Sequence, residues 1–152
     1  VGYRMNTELV TKAWLQSLPG IPAGKVATLL PALDQWASTG FVRVTTGVGG
    51  DHHPDLPIRR PIVQVDFFAA RLGSKVHPPW GQAFDLAELV VAAQETDSPD
   101  KSKTVTLPDH DSATVLDVSV MTEPRRGPVP DPASYARVMM DLQIQWTSVH
   151  TP

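Results

Sequence analysis

The chain has 152 residues, a formal net charge of −3, 41% hydrophobic and 19% charged residues, and no cysteine. That is the size of one domain with a real core. It excludes a disulfide framework, a thiolate metal site and a thiol nucleophile, and it argues against a nucleic-acid binder that works by neutralising phosphates. No stretch approaches the roughly 18–20 apolar residues that span a bilayer. Residues 1–5 lack the apolar run of a signal peptide and are expected to be a flexible tail, with Val1 or Met5 as the start.

Asn6 or Thr7 is expected to cap a first helix, with Glu8 in its opening turn. Leu9, Val10, Ala13, Trp14 and Leu18 supply its apolar face, and Pro19-Gly20 ends it. Residues 25–36 have helical apolar spacing, but Pro31 interrupts it, so only short turns are expected. Phe41 to Thr46 reads as a strand stopped by Gly47-Val48-Gly49-Gly50, and Asp51 to Leu56 as a polar loop.

Ile62 to Phe68 reads as a second strand. Val63, Val65 and Phe67 face one way, and Gln64 and Asp66 the other, until Phe68 breaks the polar face. The two strands are expected to pair antiparallel. Pro78-Pro79 announces a helix running to Gln94, with an apolar stripe of Phe84, Leu86, Ala87, Leu89, Val90, Val91 and Ala93. Asp85 and Glu88 are expected in its first turns.

Residues 95–112 read as a long exposed loop, within which Thr104 to Leu107 reads as a short strand. Val115 to Met121 is a strand with Leu116, Val118 and Val120 on one face. Glu123 to Pro132 is a proline-stiffened hairpin connection. Tyr135 to Val149 is the clearest strand: Val138, Met140, Leu142, Ile144 and Trp146 alternate with Arg137, Met139, Asp141, Gln143 and Gln145. The order α-β-β-α-β-β predicts an α+β domain over 1–152, a four-stranded, mainly antiparallel sheet with helices packed on one face.

Chemistry is sparse. Asp51-His52-His53-Pro54-Asp55, with His77 and Asp109-His110-Asp111, has metal-ligand residue types. Neighbouring histidines on a loop do not converge on one ion, and a His-Glu-x-x-His helix is absent. No Gly-x-Ser-x-Gly elbow exists, and Gly47 to Gly50 is not followed by a helix bearing a lysine. No catalytic residue, metal or cofactor is therefore assigned. Arg59-Arg60 and Arg125-Arg126, each beside proline, read either as solvated loop ends or as subunit or partner contacts. Trp80 reads either as a core plug at a helix start or as an interface anchor.

Several blocks taken together carry a resemblance. They are Ile21-Pro22-Ala23-Gly24, Trp36 to Val42, Arg59-Arg60-Pro61-Ile62-Val63-Gln64-Val65-Asp66, Pro78-Pro79-Trp80-Gly81-Gln82-Ala83 with Leu86-Ala87-Glu88, Glu123-Pro124-Arg125-Arg126, and Ser134 to Arg137 with Asp141-Leu142. In this order the chain resembles the tail terminator proteins of long-tailed phages that infect actinobacteria such as mycobacteria. The likeness spans nearly the whole chain; residues 96–111 contribute least. It implies a small α/β fold and a non-enzymatic virion protein, made in the host cytoplasm. It implies a ring, typically a hexamer, at the head-proximal end of the tail tube, where it ends tube polymerisation. The implied partners are itself, the tail-tube protein and the head–tail connector, with DNA passing through the lumen without specific binding and no membrane contact. Two alternatives stay open: a connector component on the portal side, and a small metal-dependent hydrolase built on His52 and His53.

Overall fold

The computed structural model describes residues 6–52, 55–71, 78–108, 111–129 and 134–149. The flexible tail expected at 1–5 lies outside them, as do His53, His77 and His110. The elements run α1 (Thr7–Gln16), β1 (Val26–Ala27), β2 (Phe41–His52), β3 (Arg59–Ala69), α2 (Trp80–Ala93), β4 (Lys103–Thr106), β5 (Ser112–Arg126) and β6 (Ala136–Val149). Short 3-10 turns at Ala23–Lys25 and Leu33–Gln35 flank β1.

The four-stranded layer expected from the sequence is not what forms. The described residues build a six-stranded mixed sheet in the order β1-β2-β3-β6-β5-β4, curled into a half-barrel. β1 runs parallel to β2, and every other pairing is antiparallel. The curl follows from what α1 touches. It packs against β1 and β2 toward one edge and against β4 and β5 toward the other. Flat, those edge strands would stand about 24 Å apart. A helix with its side chains is only about 10–12 Å across. The sheet must wrap around the helix for both contacts to exist.

Asn6 caps α1, its side chain accepting from the Leu9 amide at 2.9 Å. Val10, Trp14 and Leu15 are fully buried in the concave core. The Trp14 indole donates to the Asp100 carbonyl (3.0 Å), the Trp146 indole to the Thr7 hydroxyl (3.2 Å), and the Thr46 hydroxyl to Glu8 (2.6 Å). These three bonds tie α1 to the loop after α2, to β6 and to β2. α2 begins at Trp80 and buries Ala83, Leu86, Ala87, Val90 and Ala93 on β3, β6 and β5. Its first turn holds no acid, because Asp85 and Glu88 fall later than expected, and Leu89 stays 37% exposed. In β6 the five apolar positions from Val138 to Trp146 are all buried, as the alternation predicts.

Three stretches expected as loops or strand stops contribute residues to the sheet. Residues 47–50 do not stop β2 but form an irregularity inside it. Between Thr46↔Val63 and Gly50↔Pro61, β2 advances further than its partner. The extra residues of β2 lie opposite Ile62, beside Pro61, which pairs with Gly50 and has no N–H to give the ladder. Gly49 and Gly50 adopt positive φ there, +116° and +89°. A Cβ on Gly50 would run into the Arg60 carbonyl and Pro61. Gly50→Ala is expected to cost about 1–3 kcal/mol. Gly24→Ala, where a Cβ meets nothing within 4 Å, is expected to be near neutral in the same thermal melt. Equal melting temperatures for the two would sink this account of the bulge.

Within residues 95–112 the short strand expected at Thr104 to Leu107 forms, shifted by one residue. Lys103–Thr106 is β4, with Val105 and Leu107 buried in the core. The expected connection at 123–132 starts four residues late, because Glu123 to Arg126 belong to β5, where Arg125↔Met139 and Arg126↔Val138 pair. A bulge between Val115 and Asp117 also flips the expected faces: Val115 and Val118 are buried, while Leu116 is 38% exposed.

The convex face is covered at one end. Trp36, Ala37, Phe41, Phe68 and Ala70 form a second apolar cluster beneath residues 27–37, with Tyr135 packed against it. Trp36 sits 5.9 Å from Phe68 and 6.1 Å from Tyr135, ring centre to ring centre. This is the cover that Phe68, breaking the polar face of β3, foretells.

Candidate interaction sites

Both arginine pairs lie in strands, not in loops. Arg59 and Arg60 open β3, and Arg125 and Arg126 close β5. Alternation along a strand therefore sends the members of each pair to opposite faces. Arg59 lies opposite Trp146, with its guanidinium 5.1 Å from the indole centre. Arg60 faces the other way and grips Asp51 with two bonds of 2.8 and 2.6 Å. The Asp51 hydrogen bond, and then its charge, raise the Arg60 pKa above its ordinary value. At the far end, Arg126 stacks 4.5 Å over Trp80, and Arg125 reaches Asp141 at 3.8 Å. Trp80 is thus neither a sealed plug nor a bare anchor: it packs partly against the core and carries a cation on its outer surface.

The two pairs stand at opposite ends of the sheet. Their β6 neighbours Trp146 and Val138 are separated by about 27 Å of strand. The structure does not bring Arg59 and Arg60 together with Arg125 and Arg126. It gathers other residues around the latter. The Gly127 amide donates to the Arg137 carbonyl at 2.8 Å. Tyr135 meets Trp36 and Phe68.

A site the sequence did not single out lies on the convex face. Asp66 is fully buried. Its Oδ2 accepts from Arg43 Nε (3.1 Å), Arg43 Nη2 (2.8 Å) and Arg137 Nη2 (3.4 Å), and its Oδ1 from Gln64 Nε2 (3.1 Å). Arg43 also lies 5.1 Å from the Phe68 ring centre. Three strands, β2, β3 and β6, converge on this carboxylate. The only sequence signal was an aspartate between apolar strand residues with an arginine on each flanking strand, and register was needed to connect them.

For metal chemistry, no group of three His, Cys, Asp or Glu side chains among the described residues could hold an ion. Asp51, from the histidine-rich stretch, is engaged by Arg60. An open depression of about 350 Å³ beside it is lined by Thr7, Gly49, Gly50, Asp51, Arg59 and Pro61. No helix among the described residues is long and apolar enough to cross a membrane.

No family model matches the chain, and no curated protein matches it. One solved structure aligns over 97% of this chain and 99% of its own, with 15% identical residues and a TM-score of 0.41. At that level of similarity it bears on neither family nor function.

Proposed function

We propose that this chain is a non-enzymatic virion protein, a tail terminator that forms a ring on the head-proximal end of a phage tail tube. The resemblance of its sequence blocks suggests this role. The fold adds nothing to it, since the layer expected from sequence is not the one that forms. The observation that carries the reading is where those blocks meet. Trp36 to Val42, the start of α2 at Trp80, the end of β5 at Arg126 and the start of β6 at Tyr135 and Arg137 are far apart in sequence. They adjoin at one end of the sheet, through the Trp36–Tyr135 and Arg126–Trp80 contacts and the Gly127–Arg137 bond. Four of the blocks that carry the likeness thus adjoin at one end, while the block opening at Arg59 starts at the other. That end is the surface we assign to subunit or tube contact.

A closed ring requires head-to-tail contacts, in which one patch on a subunit meets a different patch on the next. A sheet with two unlike edges provides such a pair. Passage of DNA through the lumen without grip also fits the charge pattern of the convex face. There Arg60 faces Asp51, Arg43 and Arg137 face Asp66, Arg125 faces Asp141, and Lys101 faces Asp117.

The test is the mass of the purified protein by light scattering, alone and with tail-tube protein. The expected result is a hexamer-sized species, or a monomer that becomes a ring on tube ends and stops their growth. A monomer that never associates with tubes, or one that joins the portal-side connector instead, would overturn the assignment.

A further inference from the structure

The outer edges of this sheet are covered only in part, and at opposite ends. β1 covers β2 at Val42 and Arg43 alone, and β4 covers β5 from Ser112 to Val115. Just beyond β4, the Ser102 hydroxyl donates to the Leu116 carbonyl at 2.7 Å. Among the described residues, no strand pairs with the outer edge of β2 from Val44 onward or of β5 from Asp117 onward.

Register shows that the two open stretches lie at the same height in the sheet. Thr46 pairs with Val63, Val63 with Leu142, and Leu142 with Val120. Thr45 leads in the same way through Gln64 and Asp141 to Thr122. Val44 leads through Val65 to Met140, and so to the level of Glu123 and Pro124. Direction agrees as well. β2, β3, β6 and β5 alternate, so β5 runs opposite to β2. A second copy, rotated beside the first with no shift along the strands, therefore sets its β5 antiparallel to the first copy's β2.

The chemistry of the stretches fits strand pairing. Val44 to Gly50 holds no charged residue, and Val118 to Pro124 holds only Glu123. Exposed edges are commonly guarded by charges against pairing of this kind. Pro124, which has no N–H to donate, closes the open stretch at its lower end. The one charge is placed favourably. Arg43 and Arg137 share the single carboxylate Asp66, which leaves one positive charge in excess. Glu123 of a neighbour arrives at the level of Val44, one residue from Arg43.

We propose that the edge of β2 between Val44 and Gly50 takes the edge of β5 between Val118 and Glu123 from a second copy of this chain. Repeated by rotation, this heterologous joint continues one sheet from subunit to subunit. The inference rests on the ring reading above and names the joint of that ring.

The absence of native cysteine makes the test clean. Thr45→Cys and Thr122→Cys place thiols at the same height and on the same face, and neighbouring strands bring such positions to about 5 Å. The double variant is assembled with tail-tube protein and oxidised with copper–phenanthroline. A non-reducing gel is expected to show a ladder from dimer to closed ring that collapses on reduction, while each single variant stays monomeric. Thr45→Cys with Ser119→Cys tests the same joint for a slip along the strand. Rings seen by light scattering with no ladder from either pair would overturn the joint and leave the ring reading standing. A covalent dimer from a single variant would overturn it in favour of a two-fold contact. Failure to assemble under any condition would overturn both.

Discussion

Trp14→Ala is expected to destabilise the protein by about 3–5 kcal/mol, the most of any single truncation in the concave core. Trp14 is fully buried on the face of α1 that the curled sheet encloses. The surrounding strands are tied to one another by long ladders, so the void cannot collapse easily. The substitution also removes the donor to the Asp100 carbonyl, which anchors the stretch between α2 and β4. Trp14→Phe separates the two effects: most of the ring stays and the bond goes, at about 1 kcal/mol plus a smaller void. Urea unfolding should show the midpoint falling with the slope unchanged. Trp36, equally buried, belongs to the separate convex cluster. Its truncation should release mainly residues 27–41, read as faster amide exchange there while the core strands keep their protection. If Trp14→Ala cost less than Trp36→Ala, α1 would not be the helix around which the sheet curls.

The elements that were legible in sequence are those whose pattern is local. Asn6 as a cap, the turns around Pro31, the antiparallel pairing of β2 with β3 and the alternation of β6 each follow from a few neighbouring residues. What failed depended on a partner strand. Gly47 to Gly50 has poor strand propensity and reads as a stop, yet β3 holds it as a bulge opposite Ile62. Pro124 reads as a break, but on the outer edge of β5 a proline costs no ladder bond within the subunit. The short strand at Thr104 to Leu107 was legible inside its polar stretch, but the burial of Val105 and Leu107 follows from the sheet curling back toward α1. The arginine pairs were visible as pairs. That each splits between a ring on one face and a carboxylate on the other became visible only once they were strands. From sequence Asp66 reads as polar and outward. Outward it is, but beneath two arginines supplied by strands that lie far from it in sequence.

Asp66→Ala is expected to cost about 2–3 kcal/mol. Removing one member of a buried ion pair leaves the other charge desolvated, at about 3–5 kcal/mol when both are sealed. Here the arginine side chains keep 27% and 17% exposure, for Arg43 and Arg137, and can turn partly to water, so the lower figure applies. The loss should persist at high salt because Asp66 itself is fully buried. Asp51→Ala provides the contrast. Its pair with Arg60 is solvent-exposed, so its effect should be small and should fade as salt is raised. Arg43→Met should weaken the fold more than Arg137→Met does through this carboxylate, since Arg43 makes two short bonds to Asp66 and Arg137 one long one. Replacing all three with Met, Leu and Met removes the charges together and is expected to be neutral or stabilising. A triple variant as unstable as Asp66→Ala would mean that the cluster holds β2, β3 and β6 together by hydrogen-bond geometry, not that the single change strands two cations. Denaturant midpoints of the single, double and triple variants decide between these outcomes, because only uncompensated charge predicts recovery when the arginines go too.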